Sequence, residues 1–275
     1  MPVARAVMYL VTIGAIAFAL RSLLTGPPPL PWTLLALGAY LVIITLGVVF
    51  ARFEMFADVI SRGPTGARGV GLTFDDGPDP KTTPRVLEAL DAAGAKATFF
   101  VIGEKAERHP ELLRDMVARG HAVGVHGYVH DRFLSLRLPW RIQRDLERAI
   151  TVLHQITGQR PQLYRAPVGH VSPAMARVVA SLDLAVVGWT IKSLDGWSGS
   201  SPERVLGRVV PNLRDGSIVL LHDAAERGDF EPASLEALPE ILEVAARRQL
   251  DLVRVDSWLA ASTPPPDAEA AAAAA

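Results

Sequence analysis

The sequence predicts an α/β domain on a mainly parallel sheet, open or closed into a barrel, behind an apolar membrane head. Three observations predict it. Charge is almost absent from the first 51 residues, where only Arg5 and Arg21 carry it. Beyond them, short apolar runs alternate with helical patterns over about 190 residues, the signature of strand–helix units. Polar residues with chemical potential then recur at the carboxyl ends of five of those runs, where ligands gather in such folds.

The head comes first. Residues 22–51 hold no charge, and Trp32 to Ala51 is a run of 20 mostly apolar residues closed by Arg52. At about 1.5 Å rise per residue that run crosses a hydrocarbon core of roughly 30 Å. A shorter run between Arg5 and Arg21 reads as a first span, with a signal-peptide core ending near Ala17-Phe18-Ala19 as the alternative. The expected spans are 6–24 and 31–51, within an anchor over residues 1–60. Two spans put both ends on one side of the membrane. The arginine count (Arg5, Arg52, Arg62 and Arg68 against Arg21) then favours a cytoplasmic body. Discounting Arg62 and Arg68 as parts of the folded body leaves too small a margin to orient the chain.

The body has an ordinary charge share, about 25%. Its 26 basic and 29 acidic residues leave it near −3, with no electrostatic footprint for nucleic acid. The chain has no cysteine, so disulfides, thiolate metal sites and Cys nucleophiles are excluded. No feature points to a protein partner. Strands are expected at 70–74, 97–102, 122–125, 162–164, 184–187, 217–221 and 252–255. Helices are expected at 84–93, 110–119, 139–156, 173–182, 202–213 and 235–248, several opening on a proline as first-turn preference favours. The Pro- and Ala-rich stretch 263–275 reads as a disordered tail.

The first strand delivers Asp75-Asp76-Gly77-Pro78. Two adjacent carboxylates repel, and a bound cation is the commonest reason to hold them together; a plain turn is the alternative. A later strand ends in His126-Gly127-Tyr128-Val129-His130, and an i,i+4 histidine pair near a carboxylate is a standard metal site. Imidazole plus carboxylate suits zinc and its neighbours better than magnesium or calcium. Arg165-Ala166-Pro167, Asp195 and His222-Asp223 come after three further runs. Among the other histidines, His121 reads as structural, His109 as a loop end, His154 as surface and His170 as a candidate for the groove.

The order T-F-D-D-G-P, H-G-Y-V-H, R-A-P, a Trp-led segment to Asp195, and I-V-L-L-H-D resembles the polysaccharide deacetylases, the NodB-like carbohydrate esterase family 4. The resemblance covers residues 68–260. It implies a distorted (β/α)7-type barrel and metal-dependent removal of acetyl groups from N-acetylated sugars. It assigns Asp76, His126 and His130 as metal ligands, for zinc foremost, with cobalt or nickel as alternatives. It makes Asp75 the base, His222 the general acid, Asp195 its tuning carboxylate and Arg165 the arginine that orients the base. Four positions depart from the family pattern: Gly127, Val168, Lys192 in place of an acid, and Gly196, which separates Asp195 from Trp197.

The expected protein is a membrane-anchored deacetylase acting on a cell-envelope polysaccharide, peptidoglycan- or chitin-like. Its body is expected outside the cytoplasmic membrane, because polymeric acetylated glycans lie there. The alternatives are an O-acetyl esterase, a deacylase of a lipid-linked sugar, and an inactive glycan-binding envelope protein, which would be expected to have lost Asp75 or a ligand.

Overall fold

The structure, a computed structural model, describes residues 1–262; the tail expected at 263–275 lies outside the described residues. Two helices open the chain, α1 (Val3–Thr25) and α2 (Leu30–Val49). Both are long and apolar enough to cross a membrane. α1 starts three residues before the expected span and ends one after it, while α2 starts one residue early and stops two residues early at Val49. Apolar side chains point outward all round: Leu23, Leu24, Leu30, Trp32 and Leu35 are each more than 60% exposed. A helix apolar on every face suits lipid rather than water.

The helical pair is fastened to the body. Arg5 Nη2 donates to Asp58 Oδ1 at 2.7 Å and its Nε to the Glu54 carbonyl at 3.2 Å. Val171 N donates to the Val48 carbonyl at 3.0 Å, which ties down the last turn of α2.

Among the described residues the body has nine strands: β1 (Val59–Ile60), β2 (Val70–Asp75), β3 (Thr98–Val101), β4 (Ala122–Val125), β5 (Leu163–Tyr164), β6 (Ala185–Val187), β7 (Ile191–Lys192), β8 (Ile218–His222) and β9 (Leu252–Val253). They form one sheet in the order β1-β6-β5-β4-β3-β2-β8-β7, with β9 on the start of β2, and every strand pairing is parallel. The sheet curls without β1 meeting β7. After β1 the chain crosses to the far edge instead, with Arg62 bridging Ser217 and Gly63 N donating to the Gly216 carbonyl. This is the distorted, incompletely closed barrel that the sequence implied.

Among the described residues eight α-helices cover the sheet: α3 (Thr83–Ala92), α4 (Gly103–Arg108), α5 (Pro110–Ala118), α6 (Pro139–Thr157), α7 (Pro173–Ser181), α8 (Pro202–Val209), α9 (Ser234–Arg247) and α10 (Ser257–Ser262). The longest, α6, buries Ile142, Leu146, Ala149, Ile150 and Leu153, a stripe at helical spacing. Ser172 and Ser201 cap α7 and α8, each Oγ accepting a backbone N–H from the first turn. Central strand β2 is buried at every residue, as a strand covered on both faces must be. Its Phe74 stacks on Phe99 of β3 with ring centres 5.2 Å apart. Expected strand and helix cores hold throughout. The two-residue strands β1 and β7, and the short helices α4 and α10, were not anticipated, being too short to show a period.

Candidate active site

The five polar strand ends converge. Asp75 closes β2, His126 comes directly after β4, Arg165 directly after β5, Asp195 lies three residues past β7, and His222 closes β8. Asp75, Asp76, His126, His130 and His222 line one cleft of about 300 Å³, with Trp189, Lys192 and Trp197 on its walls.

Asp76 sits on the cleft floor in the left-handed region, φ 74°, as does His130 at φ 53°. Non-glycine residues held there are strained, and such strain concentrates at functional sites. One side-chain atom from each of Asp76, His126 and His130 lies within 4.8 Å of the other two. Asp76 Oδ1 is 3.4 Å from His126 Nε2 and 3.3 Å from His130 Nε2, aligned with neither as a hydrogen bond. It is buried with no hydrogen-bond partner. A buried oxygen left without a donor costs free energy, and a cation among these three atoms would satisfy it. The donor set therefore fits a divalent metal. Burial would raise the Asp76 carboxyl, but the three histidines around it outweigh that and hold it well below the usual range.

His126 is already oriented for such a role. Its Nδ1 lies 2.8 Å from the Arg165 carbonyl, which can only accept, so Nδ1 carries a proton and, in the neutral ring a metal would need, Nε2 keeps its lone pair toward Asp76. His130 has a carboxylate behind it instead. Glu226 Oε1 is 3.1 Å from Nδ1, though not aligned as a hydrogen bond, and Arg132 Nε donates to both oxygens of Glu226. Burial would raise Glu226; Arg132 and His130 hold it low, and ionised.

Asp75 accepts from Arg165 Nη1 at 2.7 Å. That guanidinium is fully buried. It also donates to Thr73 Oγ1 at 2.7 Å and to the Gly188 carbonyl at 2.9 Å, and lies 4.1 Å from the Phe100 ring centre. On the opposite wall His222 Nδ1 is 2.8 Å from Asp195 Oδ1, while His222 N donates to Asp195 Oδ2 at 2.7 Å. Ser193 Oγ also donates to Asp195, which is fully buried. Burial would lower the His222 imidazole, but Asp195, Asp76 and Asp75 outweigh it and push it up to about 10. Its side chain keeps 18% exposure, and Nε2 points at the floor, 3.9 Å from Asp76 Oδ2.

This crowding explains two glycines. A Cβ at Gly196 would lie 2.8 Å from the His222 ring, so the residue between Asp195 and Trp197 must be small. A Cβ at Gly77 would lie 2.1 Å from Asp223 Oδ2. Asp223 is turned away from the cleft, accepting from Thr83 Oγ1 at 2.5 Å; burial pushes it up to about 7. It packs the Asp75-Asp76 turn rather than facing a substrate. Lys105 Nζ ties the same turn down, donating to the carbonyls of Asp76 and Ala225 at 2.6 and 2.8 Å. Glu226, Arg132 and Lys105 were not singled out from sequence.

The remaining histidines sort as expected, with His121 buried and His154 exposed. His170 lines a neighbouring cavity rather than the cleft.

A curled parallel sheet with a His₂Asp group between a carboxylate–arginine pair and an imidazole–carboxylate pair defines the NodB-like class of carbohydrate deacetylase. A family profile described as polysaccharide deacetylase matches residues 62–187. A chitooligosaccharide deacetylase of Sinorhizobium fredii is 38% identical over 60% of this chain and 76% of that protein. A peptidoglycan-N-acetylglucosamine deacetylase of Bacillus cereus is 30% identical over 70% of this chain and 68% of that protein. The crystal structure of the Bc1960 peptidoglycan N-acetylglucosamine deacetylase, in complex with a benzamide, superposes with a TM-score of 0.69 at 28% identity, over 76% of this chain and 95% of that one. The chain belongs to the polysaccharide deacetylase family.

Proposed function

We propose that residues 68–260 form a metal-dependent hydrolase that removes N-acetyl groups from amino sugars of a cell-envelope glycan, peptidoglycan- or chitin-like in its repeating unit. Residues 1–60 anchor it through two spans, and the body lies outside the cytoplasmic membrane. The observation that carries the reading is the pairing of opposite acid–base groups on either side of one metal-fit floor. Asp75 is fixed by Arg165, and His222 by Asp195.

Asp76, His126 and His130 would hold the metal, zinc foremost. A divalent ion there acidifies water and polarises an acyl oxygen. The residues do the rest. Asp75 takes a proton from water as its oxygen bonds to the acetyl carbon. Arg165, locked by its three other contacts, keeps the receiving oxygen in place. His222, held protonated by Asp195, gives its proton to the amine as the carbon–nitrogen bond breaks, since an unprotonated amide anion is a poor leaving group. Acetate and a free amino sugar result. Each proton transfer is worth about 10²–10⁴ in rate.

The test is acetate release from chitooligosaccharides, peptidoglycan and acetylated xylan, with and without chelator. Release from the first two, lost on chelation and restored by zinc or cobalt, is expected. Release from xylan alone would replace the amide reading with ester hydrolysis, and no release from any would leave a glycan-binding protein. Stoichiometric calcium without a transition metal, by elemental analysis, would remove the zinc assignment. An alkaline phosphatase fusion after Ala260 should be active if the body is exported. A fluorescent, phosphatase-negative pair of reporter fusions would put the body inside.

A further inference from the structure

Beside the cleft lies a second cavity, of about 470 Å³. The two adjoin, sharing Ala166, Val168, Gly169, Trp189 and Lys192 as lining. The far wall of the second cavity is Val49 to Arg52, where α2 ends. With α2 spanning a bilayer, that wall stands at the depth of the lipid headgroups.

The cavity's chemistry suits an anion. Arg52, Lys192 and Arg208 line it, and among the described residues no carboxylate does. Lys192 reaches both cavities, its Nζ 5.6 Å from the Trp189 ring centre. It is one of the four positions at which the sequence departs from the pattern of the family it resembles.

A second feature sets this face against the bilayer. Phe133, Leu136, Leu138 and Trp140 are 55–67% exposed. Arg137 and Arg141 are interleaved with them. Apolar side chains alternating with arginines on a surface are the composition of an interfacial membrane contact. This segment is joined to the membrane end of α2 through two successive residues. Ser172 N donates to Ser135 Oγ at 2.7 Å, and Val171 N to the Val48 carbonyl at 3.0 Å.

We propose that the second cavity seats the phosphate of a membrane lipid that carries the acetylated amino sugar. The acetamido group then lies in the cleft, one tryptophan away. The substrate class this adds is a lipid-phosphate-linked N-acetyl amino sugar at the bilayer surface, a membrane-bound form of the glycan's repeating unit. This rests on the deacetylase reading above, and on α1 and α2 being in the membrane.

The full chain, zinc-loaded in lipid nanodiscs, is given N-acetylglucosamine on a polyprenyl diphosphate, the same sugar on an uncharged polyprenyl ether, and soluble chitotetraose. Acetate release is expected to be at least about tenfold more efficient with the diphosphate than with the ether, the worth of one or two charge-assisted contacts. The Arg52→Gln/Arg208→Gln variant should lose most of that preference through KM, with kcat kept; Lys192→Gln, at the junction with the cleft, should lose the preference as well. Equal efficiency on the two lipids, or a preference that survives both variants, overturns the proposal while acetate release from either leaves the deacetylase reading standing. If no substrate releases acetate, the deacetylase reading falls, and binding decides the cavity's role alone. The polyprenyl diphosphate sugar should then bind nanodisc-held Asp75→Asn protein at least about tenfold more tightly than the ether. Equal binding would overturn the proposal there too.

Discussion

The two walls of the cleft are built in opposite senses. On one, an anion, Asp75, is held by a buried cation, Arg165. On the other, an imidazole is held by a buried anion, Asp195. Each buried charge has its partner and its remaining hydrogen bonds, which is the condition under which burying a charge is tolerable. The difference lies in exposure to the cleft. Arg165 is sealed under the floor and cannot exchange protons there. His222 keeps an edge open and can. One wall fixes an acceptor, the other tunes a donor.

The comparison breaks most completely at the floor both walls share. Asp76→Ala should lose metal and activity together, whereas Asp75→Asn should keep the metal and lose about 10²–10⁴ in turnover, because an amide cannot take the proton. Elemental analysis beside acetate release separates them. Near-wild-type turnover in Asp75→Asn would end the role assigned to that wall.

On the other wall the effect is a displacement along the pH axis. His222 must be protonated to donate, so activity falls as pH rises through its pKa. Asp195→Asn removes the charge that raises that pKa, and the alkaline limb of kcat/KM should move down by about 1–3 pH units. An unmoved limb would deny Asp195 its tuning role. In the metal-free protein the same pairing adds stability that is full below pH 6.5 and lost as pH climbs toward 10.

A smaller effect is expected behind the floor. Glu226→Gln weakens the carboxylate support of His130, and supporting groups of this kind are typically worth about 10–100-fold in metal affinity. Competition with a chromogenic chelator reads that directly, and an unchanged affinity would make Glu226 a partner of Arg132 only. Smallest in energy is the exposed apolar segment. Because the chain lacks cysteine, Leu136→Cys gives a single labelling site. A nitroxide there should be reached by oxygen more than by a water-soluble nickel complex, and one at Glu243→Cys the reverse.

Legibility in the sequence divides along similar lines. Asp75, Asp76, His126, His130, Arg165, Asp195 and His222 all stand at or shortly after strand ends, so apolar runs and motif order located them without any contact being known. Glu226 and Lys105 follow strand ends as closely as His130 does, but neither they nor Arg132 belong to a quoted motif, and their partners are up to 120 residues away. No local period signals such meetings. The strands β1 and β7, two residues each, exist only because the sheet's edges call on them. Gly196 reads as a departure from pattern, and only the nearness of the His222 ring explains it.

The fastening of α2 to the body has a kinetic meaning. Only nine residues separate Val49 from β1, and the Val48–Val171 hydrogen bond pins even that short passage. The cleft is therefore not on a leash. With α2 in a bilayer, as proposed, the cleft keeps a fixed height above it, and its encounters are set by how much acetylated glycan comes to that surface.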